Sequence, residues 1–563
     1  MHALGLLNGV FSTAALLGAV VATAATATPS LAQRGGGRSA PAPVAAAPGA
    51  LPQSADSVPY IRRTPPADPV IQRMWVEGTQ HSEVMRFSQQ LFDSMGPRLT
   101  ASPDMELAQH WLLEIYRHWG ITAGHEQYGT WNSWRKGVAH LDLITPRVRS
   151  LEVALMAWSP GTNDKWVEGE VVIVPPSVTS AAAFKAWMPN ARGKFVLVSA
   201  PRLSCRMDRQ WEEFGTEASR TENATAQAAI DQSYNARIGF GGGAVGISDS
   251  LKSAGALGVL SSSWSGYPGV DKIFGSPRQR LPAMDVGCED YGLLYRLADN
   301  NQHPLVRMVA DAEFRGELPV YNVIAEIRGV EKPNEYVMMS AHFDSWAGAS
   351  GATDNGTGTV TMLEAMRIIK AAYPHPKRTI LVGHWSGEEQ GLNGSRGYVE
   401  DHPEVVAGLQ ALWNQDNGTG RVTFLSPGPF SRARPVLARY LGELPSQITQ
   451  WVRLGDPTPG PATGGSDQAG FQCAKAPAFS LGALAWDYSN TTWHTNRDTY
   501  DKVVPYDLRN NAMLVAMLTY LASEDPQRMP KDVLNPLDTV SGKPAAWPNC
   551  PKAIRVSSQS MRQ

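Results

Sequence analysis

The chain has 563 residues, of which 43% are hydrophobic and 18% are charged, so it holds enough apolar material for one large domain or several ordinary ones. Its 52 glycines and 41 prolines indicate many turns and argue against an all-helical bundle. The formal net charge of −2 excludes a general electrostatic attraction to nucleic acid, so a local site must carry the function.

The first 32 residues predict a secretory signal peptide. They contain no charged side chain before Arg34, run through an apolar segment, and end in the small residues Ser-Leu-Ala at 30–32. A basic start is missing, since only His2 stands there, and a retained anchor is the alternative; the Ala- and Thr-rich run at 22–28 would make a weak membrane span. We therefore expect a secreted or periplasmic protein that is free of the membrane after cleavage.

Residues 33–69 are rich in Gly, Ala and Pro and too poor in large apolar side chains to order, which predicts a disordered linker. Regular structure is predicted to begin near Val70, and apolar residues recur at three- and four-residue steps over 85–92 and 107–115, as in amphipathic helices. The turn Gly-Pro-Arg at 96–98 separates these helices.

Residues 161–312 form short β-rich runs that predict a separate unit. Within it, the polar segment from Cys205 to Gly246 ends in a match to G-x-G-x-x-G, but no strand leads into that match, which argues against a dinucleotide site. We interpret this segment as a mobile loop that could act as a lid. We expect the unit to lie beside the carboxyl edge of the main sheet, where it could wall one side of a cleft.

From Tyr321 onward, predicted strands alternate with helices, which indicates an α/β fold with a largely parallel mixed sheet flanked by helices. The strands are YNVIAEIRG, EYVMMSA, RTILVGHWS and LQALWNQD, and TVTMLEAMRIIK is a helix. In such folds, functional residues lie on loops that leave the carboxyl ends of the strands. Residues 531–563 are predicted to be an irregular tail.

The chain has four cysteines and no C-x-x-C motif. Of the three possible pairings, we favour Cys205 with Cys288 and Cys473 with Cys550, because each pair stays within one predicted unit. Four unpaired buried thiols remain the alternative.

Acidic and imidazole side chains follow each of the predicted strands in the second half of the chain. Together they form the ligand inventory of zinc or a similar divalent metal. Four carboxylates in one site would need compensation, which two divalent cations supply, and the adjacent pair of glutamates allows one to bind metal while the other moves a proton. The set consists of His342, Asp344, Asp354, Glu388, Glu389, Asp416 and His494.

This combination resembles the zinc exopeptidases with a co-catalytic metal pair, a family that includes secreted aminopeptidases, carboxypeptidase Q and glutamate carboxypeptidase II. The residues that carry the resemblance are H-F-D-S-W at 342–346, T-D-N-G at 353–356, S-G-E-E-Q-G at 386–391, Asp416, G-S-D at 465–467 and H-T-N-R-D-T at 494–499, preceded by G-P-R-L-T-A-S-P at 96–103. Residues 161–312 resemble the protease-associated domain that is often inserted in these enzymes. The sequence departs from many relatives at Asn355, where Asp is common, and at Gln468, where His is common.

The resemblance implies two zinc ions per chain, a peptide substrate and a role for each residue of the set. Asp354 would bridge the ions, with His342 and Asp416 on one and Glu389 and His494 on the other. Glu388 would be the general base, and Asp344 would accept the second imidazole N–H of His342. Tyr488 is the candidate donor to the oxyanion, and Arg497 could bind a substrate carboxylate.

Composition and the resemblance together divide the chain into a signal peptide (1–32), a linker (33–69), an N-terminal part of the peptidase domain (70–160), the insert (161–312), the catalytic domain (313–530) and the tail (531–563). We expect an aminopeptidase, with a carboxypeptidase or dipeptidase of the carboxypeptidase Q type as the alternative. A non-catalytic binding protein of transferrin-receptor-like architecture and a one-zinc glutaminyl cyclase are the further alternatives, and a homodimer stays open.

Overall fold

A computed structural model describes residues 68–276, 278, 280–539 and 541–557. The predicted signal peptide and all but the last two residues of the predicted linker lie outside this part of the chain. The first helix begins at Pro69, where the Asp68 carboxylate accepts hydrogen bonds from the backbone N–H groups of Val70 and Ile71.

The helices of the described residues are α1 (Pro69–Gln80), α2 (Val84–Gln89), α3 (Pro103–His118), α4 (Ala181–Trp187), α5 (Asp208–Phe214), α6 (Glu217–Phe240), α7 (Gly243–Ala254), α8 (Cys288–Asp299), α9 (Thr357–Ala372), α10 (Asn393–Asp401), α11 (Pro403–Gly408), α12 (Ala433–Glu443), α13 (Ser446–Thr449), α14 (Gln468–Cys473), α15 (Tyr488–Thr491) and α16 (Pro505–Glu524). The strands are β1 (Thr122–Thr145), β2 (Arg149–Ser150), β3 (Val153–Leu155), β4 (Val167–Val172), β5 (Phe195–Leu197), β6 (Gly258–Ser261), β7 (Ala283–Val286), β8 (Leu305–Ile327), β9 (Lys332–His342), β10 (Arg378–Trp385), β11 (Leu409–Asn414), β12 (Val422–Ser426), β13 (Arg453–Leu454) and β14 (Ala478–Ala483).

These strands form one mixed sheet in the order β13-β12-β14-β11-β9-β10-β8-β4-β5-β6-β7-β3, with β1 along β8 and β2 on β1. Strands β14, β11, β9 and β10 are mutually parallel neighbours, and β8 is antiparallel to β10. The predicted α/β class with a largely parallel mixed sheet is confirmed, and all four predicted strands and the predicted helix are present. The carboxyl ends of the four parallel strands therefore meet at one edge.

Helices cover both faces of the parallel strands. Successive strand residues point to opposite faces of the sheet, and the apolar side chains on each face pack against helices. Val337 and Met339 of β9 pack in the core that includes helices α9 and α16, whereas Met338 packs in a separate cluster with Tyr398 of α10 and Phe471 of α14. The strands are buried on both faces, which explains their nearly continuous apolar sequences.

A second section of the sheet, here called the distal section, comprises β4, β5, β6 and β7, which run parallel to one another. It joins the rest of the sheet through β8, and this strand runs through the boundary that the sequence places at residue 312. Helices α4–α8 connect its strands, so the region is richer in helix than predicted from its β-rich runs.

The predicted mobile loop between Cys205 and Gly246 is wrong as a structural assignment. Residues 217–240 form the 24-residue helix α6, which the Thr216 side chain caps, and α5 and α7 flank it. The helix buries only a narrow stripe that includes Tyr234 and Ile238, so its sequence is mostly polar and lacks a strong apolar period. Its many Ala, Glu, Gln and Arg residues favour helix without such a period.

Two disulfides join Cys205 to Cys288 and Cys473 to Cys550, which is the pairing favoured from the sequence. The second disulfide attaches the C-terminal segment to the end of α14, and the Trp547 indole N–H donates to the carbonyl of Cys473. Within the described residues, no helix has the length and apolar content that a membrane span requires.

Candidate metal centre

The predicted site residues lie at the carboxyl ends of the four parallel strands. His342 is the last residue of β9, Glu388 and Glu389 follow β10, and Asp416 follows β11. The loop after β14 carries His494. Neighbouring parallel strands end at the same edge, so the fold brings these distant segments of the chain together.

Asp354 lies between the two imidazoles, on the turn that precedes α9. Its Oδ1 is 3.3 Å from His342 Nε2 and its Oδ2 is 3.2 Å from His494 Nε2. His342 Nε2 is also 3.1 Å from Asp416 Oδ1, and His494 Nε2 is 2.9 Å from Glu389 Oε2. Each imidazole thus faces one oxygen of Asp354 and one carboxylate of its own.

The carboxylates of this cluster have few hydrogen-bond donors. Both oxygens of Asp354 and both of Glu389 are buried, and apart from the facing imidazole nitrogens no described residue offers them a hydrogen bond. Their polar neighbours are the imidazole nitrogens given above. A buried carboxylate without donors is costly unless a cation pairs with it.

The donor atoms fit divalent cations of the zinc class. Oxygens and imidazole nitrogens within 4.8 Å of one another occur in two sets, His342 with Asp354 and Glu389, and His342 with Glu388 and Asp416. Imidazole and carboxylate are the ligands that zinc takes in catalytic sites. The unsatisfied oxygens of Asp354 face both imidazoles, which suits a carboxylate shared between two ions.

The electrostatics of the cluster follow from opposite charges at close range. Burial alone would lower the pKa of His494, but Glu389 and Asp354 raise it to about 9. Burial also opposes the positive form of His342, yet the facing carboxylates raise its pKa well above the ordinary value. The two imidazoles hold the pKa of Asp354 well below its usual range in spite of its burial. The cluster therefore attracts positive charge strongly.

Asp344 orients the site differently from the sequence prediction. The Nδ1 of His342 is 2.9 Å from the backbone carbonyl of Asp344, and 3.7 Å from its carboxylate. The carboxylate instead accepts hydrogen bonds from the backbone N–H groups of Glu388 and Glu389, each at 3.2 Å, and from the Thr100 hydroxyl. Asp344 lies two residues after the end of β9, and there its backbone carbonyl is nearer to the His342 ring than its carboxylate is. The carboxylate therefore holds the turn that carries Glu388 and Glu389.

Two further buried residues hold the loops of the site and were not singled out from the sequence. The Asp498 carboxylate accepts from the backbone N–H groups of Thr353 and Asp354, at 2.7 and 2.9 Å. The Arg98 guanidinium donates to the backbone carbonyls of four residues in the loops around the site, which are Gly96, Phe343, Ser350 and Gly351. Both lie inside motifs quoted above, at 494–499 and 96–103, so their place in those motifs is the signal that could have identified them.

The candidate oxyanion donor, Tyr488, begins α15 beside the cluster. Burial and the charges of Asp354, Asp416 and Glu389 raise the pKa of Tyr488 well above its ordinary value. Its phenol therefore keeps its proton at neutral pH and can donate a hydrogen bond.

Arg497 does not point into the cluster. Its guanidinium donates to the carbonyl of Gly269 and to the Glu152 carboxylate, at 2.8 and 2.9 Å, and almost half of its side chain is exposed. These contacts give no support to a role in binding a substrate carboxylate at the metal cluster.

The distal section contacts the loop that carries His494 through the segment 269–273, between β6 and β7. The Ile273 N–H donates to the His494 carbonyl at 2.7 Å, and the backbones of Asp271 and Asn496 are joined at 3.0 Å. Phe274, next in the chain, packs edge-on against the His494 ring at 5.1 Å between centroids. These contacts with the site come from the segment 269–274.

Comparison with known proteins shows which family these features resemble. Residues 322–519 match the model of Peptidase family M28. The chain is 25% identical over 443 residues to carboxypeptidase Q of Pongo abelii, across 78% of this chain and 85% of that protein. The sequence also aligns with that of human carboxypeptidase Q at 24% identity over 443 residues, with the same coverage of 78% and 85%.

Among solved structures, a Peptidase M28 precursor from Shewanella amazonensis aligns with a TM-score of 0.60 and 22% identity, across 83% of this chain and 98% of that one. BSAP, a zinc aminopeptidase from Bacillus subtilis, aligns with a TM-score of 0.51 and 17% identity, across 80% and 97%. These structures share the fold of this chain.

Proposed function

Since the chain belongs to Peptidase family M28 and is a zinc-dependent metallopeptidase, we propose that it is an exported aminopeptidase that releases residues from the amino end of short peptides. The observation that carries the proposal is the position of Asp354, whose two oxygens lack hydrogen-bond donors and face His342 and His494 separately. This arrangement supports a site for two ions and argues against the one-zinc alternative.

The residues that would hold two zinc ions are His342 and Asp416 for one and Glu389 and His494 for the other, with Asp354 placed to serve both. When bound, zinc supplies a Lewis acid that lowers the pKa of the attacking water and polarises the scissile carbonyl. The hydrogen bond from His342 Nδ1 to the Asp344 carbonyl leaves Nε2 directed toward the ligand oxygens.

Glu388 is proposed as the general base. Its carboxylate lies in the same set of close donor atoms as His342 and Asp416, and its backbone is fixed by the Asp344 carboxylate. Glu388 takes a proton from the water as the water attacks the carbonyl carbon, and gives that proton to the leaving amine as the C–N bond breaks. Tyr488 donates a hydrogen bond to the oxygen on which negative charge develops.

The lining of the small cavity at the cluster favours recognition of a free ammonium group. It contains the carboxylates of Asp354 and Glu389 and, among the described residues, no lysine or arginine. The buried cation Arg98 is directed to backbone carbonyls. Carboxylate oxygens without a competing cation would stabilise the positive amino end of a peptide next to the scissile bond.

A carboxypeptidase or dipeptidase is the second candidate. The observation that favours it is the likeness to proteins named carboxypeptidase Q over 85% of their length.

Export is supported by the N-terminal sequence and by two disulfides, which form and persist in oxidising compartments.

The test uses purified protein with one tetrapeptide in three forms, with free ends, with an acetylated amino end, or with an amidated carboxyl end. Mass spectrometry identifies the first residue released, and metal analysis of the same sample counts zinc. An aminopeptidase cleaves the free and amidated forms, releases the first residue, and holds two zinc ions per chain. Cleavage that requires a free carboxyl end would select the second candidate, and two bound ions with no cleavage of any form would favour a binding protein.

A further inference from the structure

A cavity of about 500 Å³ lies beside the metal cluster and is not used by the proposed chemistry. Its walls come from the loop and helix start at 97–104, from residues 134–137 of β1, from residues 347–350, and from Asn496 and Thr499. This volume falls in the range of sites that bind small molecules.

The cavity adjoins the cluster. Ala349 lines both this cavity and the smaller one that contains Asp354, Glu389 and His494. Two residues earlier, the Ala347 carbonyl accepts a hydrogen bond from Lys136 Nζ at 2.7 Å. Ala347 and Ala349 are separated by at most about 7 Å along an extended chain, which is the length of two peptide residues.

Lys136 is the one lysine or arginine among the described residues that line this cavity. It is partly buried, and burial alone lowers its pKa, with no carboxylate contributing to the shift. Its ammonium group spends one of its three N–H donors on the Ala347 carbonyl. Partial burial removes some of the water around an ammonium group that has no counter-ion, so an anionic group in the cavity would be stabilised there.

Asp104 is the one acidic side chain among the described residues of the cavity wall, and its charge is compensated from other directions. It lies in the first turn of α3, where the helix N-terminus favours a negative charge. Burial raises its pKa, and Arg135, not Lys136, opposes that shift. Lys136 is therefore the charge of this cavity that lacks a partner.

From this arrangement we propose that the cavity binds a carboxylate of the substrate and that Lys136 is its counter-ion, so that the enzyme prefers short peptides with a carboxylate within two or three residues of the scissile bond. The proposal rests on the proposed function, because it places the scissile bond at the metal cluster. It names a specificity-determining residue outside the catalytic set. The carboxylate could be the C-terminal group or an acidic side chain.

The test compares kcat/KM for pairs of dipeptide substrates in the zinc-loaded protein. Alanyl-alanine and alanyl-alanine amide differ only in the C-terminal carboxylate, whereas alanyl-glutamate amide and alanyl-glutamine amide differ only in the side chain. We expect at least one pair to favour the carboxylate by about tenfold or more, as a charge-assisted hydrogen bond provides. The pair that shows the preference identifies the source of the carboxylate.

Lys136→Met is expected to bring that ratio close to one, mainly through KM, and Lys136→Arg to restore part of it. Lys185→Met removes an exposed lysine of α4 and serves as the matched control, which should keep the wild-type ratio. Because Lys136→Met could disturb the 347–350 loop, the affinity of Glu388→Gln protein for the same peptides is measured by calorimetry with and without the Lys136 substitution.

The outcomes separate the two proposals. If wild-type protein cleaves both members of each pair equally well, the Lys136 proposal fails and the proposed function stands. The same conclusion follows if Lys136→Met keeps the carboxylate preference in both rate and affinity. If zinc-loaded wild-type protein cleaves neither these dipeptides nor the tetrapeptides, the proposed function fails and this inference fails with it.

Discussion

Buried carboxylates lie near the carboxyl ends of parallel strands in both sections of the sheet, but they are satisfied in different ways. In the distal section, Asp285 accepts hydrogen bonds from the Ser261 hydroxyl and the Ser263 N–H, at 3.1 and 3.3 Å. In the metal cluster, the oxygens of Asp354 and Glu389 accept none from the described residues and face imidazoles instead. Both regions bury acidic side chains. What distinguishes the metal site is that its carboxylates lack the hydroxyl and backbone N–H donors that Asp285 has.

Asp271 of the distal section is a buried carboxyl group that is stabilised in a third way. One of its oxygens is buried without a donor, as in the metal cluster. Burial and the neighbouring Asp285 and Glu152 raise its pKa to about 9, so this group is protonated at neutral pH. A buried acid that lacks hydrogen-bond donors can therefore either take up a proton or pair with a cation. Only at the cluster do His342 and His494 face the acids, and there pairing with a cation is favoured.

The largest effect that tests this comparison is removal of the metal. Dialysis against a chelator is expected to lower kcat/KM by at least about 10⁴-fold, because the Lewis acid contributes several kcal/mol and each 1.36 kcal/mol is a factor of ten. Zinc should restore the activity. Peptidase assays before and after the addition of zinc measure the change.

The comparison also predicts where the structure loosens. Without metal, the carboxylates of the cluster repel one another, so hydrogen exchange should increase in residues 352–356 and 388–394. Strands β6 and β7 serve as the internal control, because Asp285 is satisfied by hydrogen bonds. Equal loosening of both regions would contradict the distinction between them.

The next effect is expected from Glu388→Gln. The amide cannot accept the proton of the water, so kcat should fall by about 10²- to 10⁴-fold, the usual contribution of a general base. Zinc content should stay at the wild-type value, since Glu388 is not one of the proposed ligands. Activity and metal analysis on the same preparation test both statements.

Glu331→Gln removes an exposed glutamate and is the matched control for that variant. A parallel loss of zinc and activity in Glu388→Gln would make Glu388 a ligand. The assignment of the two adjacent glutamates would then have to be reversed.

A smaller effect is expected from Asp344→Asn. The amide keeps the shape of the side chain but cannot accept from the N–H groups of both Glu388 and Glu389, so the turn that carries them should lose its fixed position. Loss of such an outer hydrogen-bond partner typically lowers metal affinity or activity by about 10- to 100-fold. Zinc titration and kcat/KM measure it.

Thr100→Val removes a single donor to the same carboxylate and should cost less than Asp344→Asn. If both variants retained wild-type affinity and rate, Asp344 would have no part in orienting the site.

The sequence was sufficient to predict the elements whose hydrophobic pattern matches their burial in the fold. Strand β10 is buried along its whole length, its central residues 380–382 are apolar, and the acids that follow it mark the carboxyl edge. The sequence could not show that α6 is a helix, because a long exposed helix with a narrow buried stripe reads as a polar segment. Nor could it locate the boundary near residue 312, since β8 belongs to both sections of the sheet.

Within the site, the residue types were predictable but their partners were not. Asp344 was expected to accept the imidazole N–H of His342, and the same residue provides this acceptor through its backbone carbonyl. Lys136 carries no motif at all, because its importance arises from a cavity that β1 forms with three distant segments of the chain. Contacts between segments far apart in sequence depend on the tertiary fold and leave no local pattern.

The smallest expected effect concerns stability and tests whether Asp271 is protonated. Its folded-state pKa of about 9 lies above the ordinary value of an aspartate, 3.8, so the folded protein binds a proton that the unfolded chain has released. This contribution to stability is present at low pH and is lost as the pH rises from about 4 toward 9. Asp271→Asn keeps a neutral side chain at every pH, so the variant should match wild-type protein near pH 4 and exceed it near pH 9 by at least about 1–3 kcal/mol in the free energy of unfolding. Urea denaturation at the two pH values measures the difference, and Asp93→Asn, at an exposed position, is the control. An equal change in stability at both pH values would mean that Asp271 is ionised in the folded protein, and the contrast between proton uptake in the distal section and cation pairing at the cluster would fail.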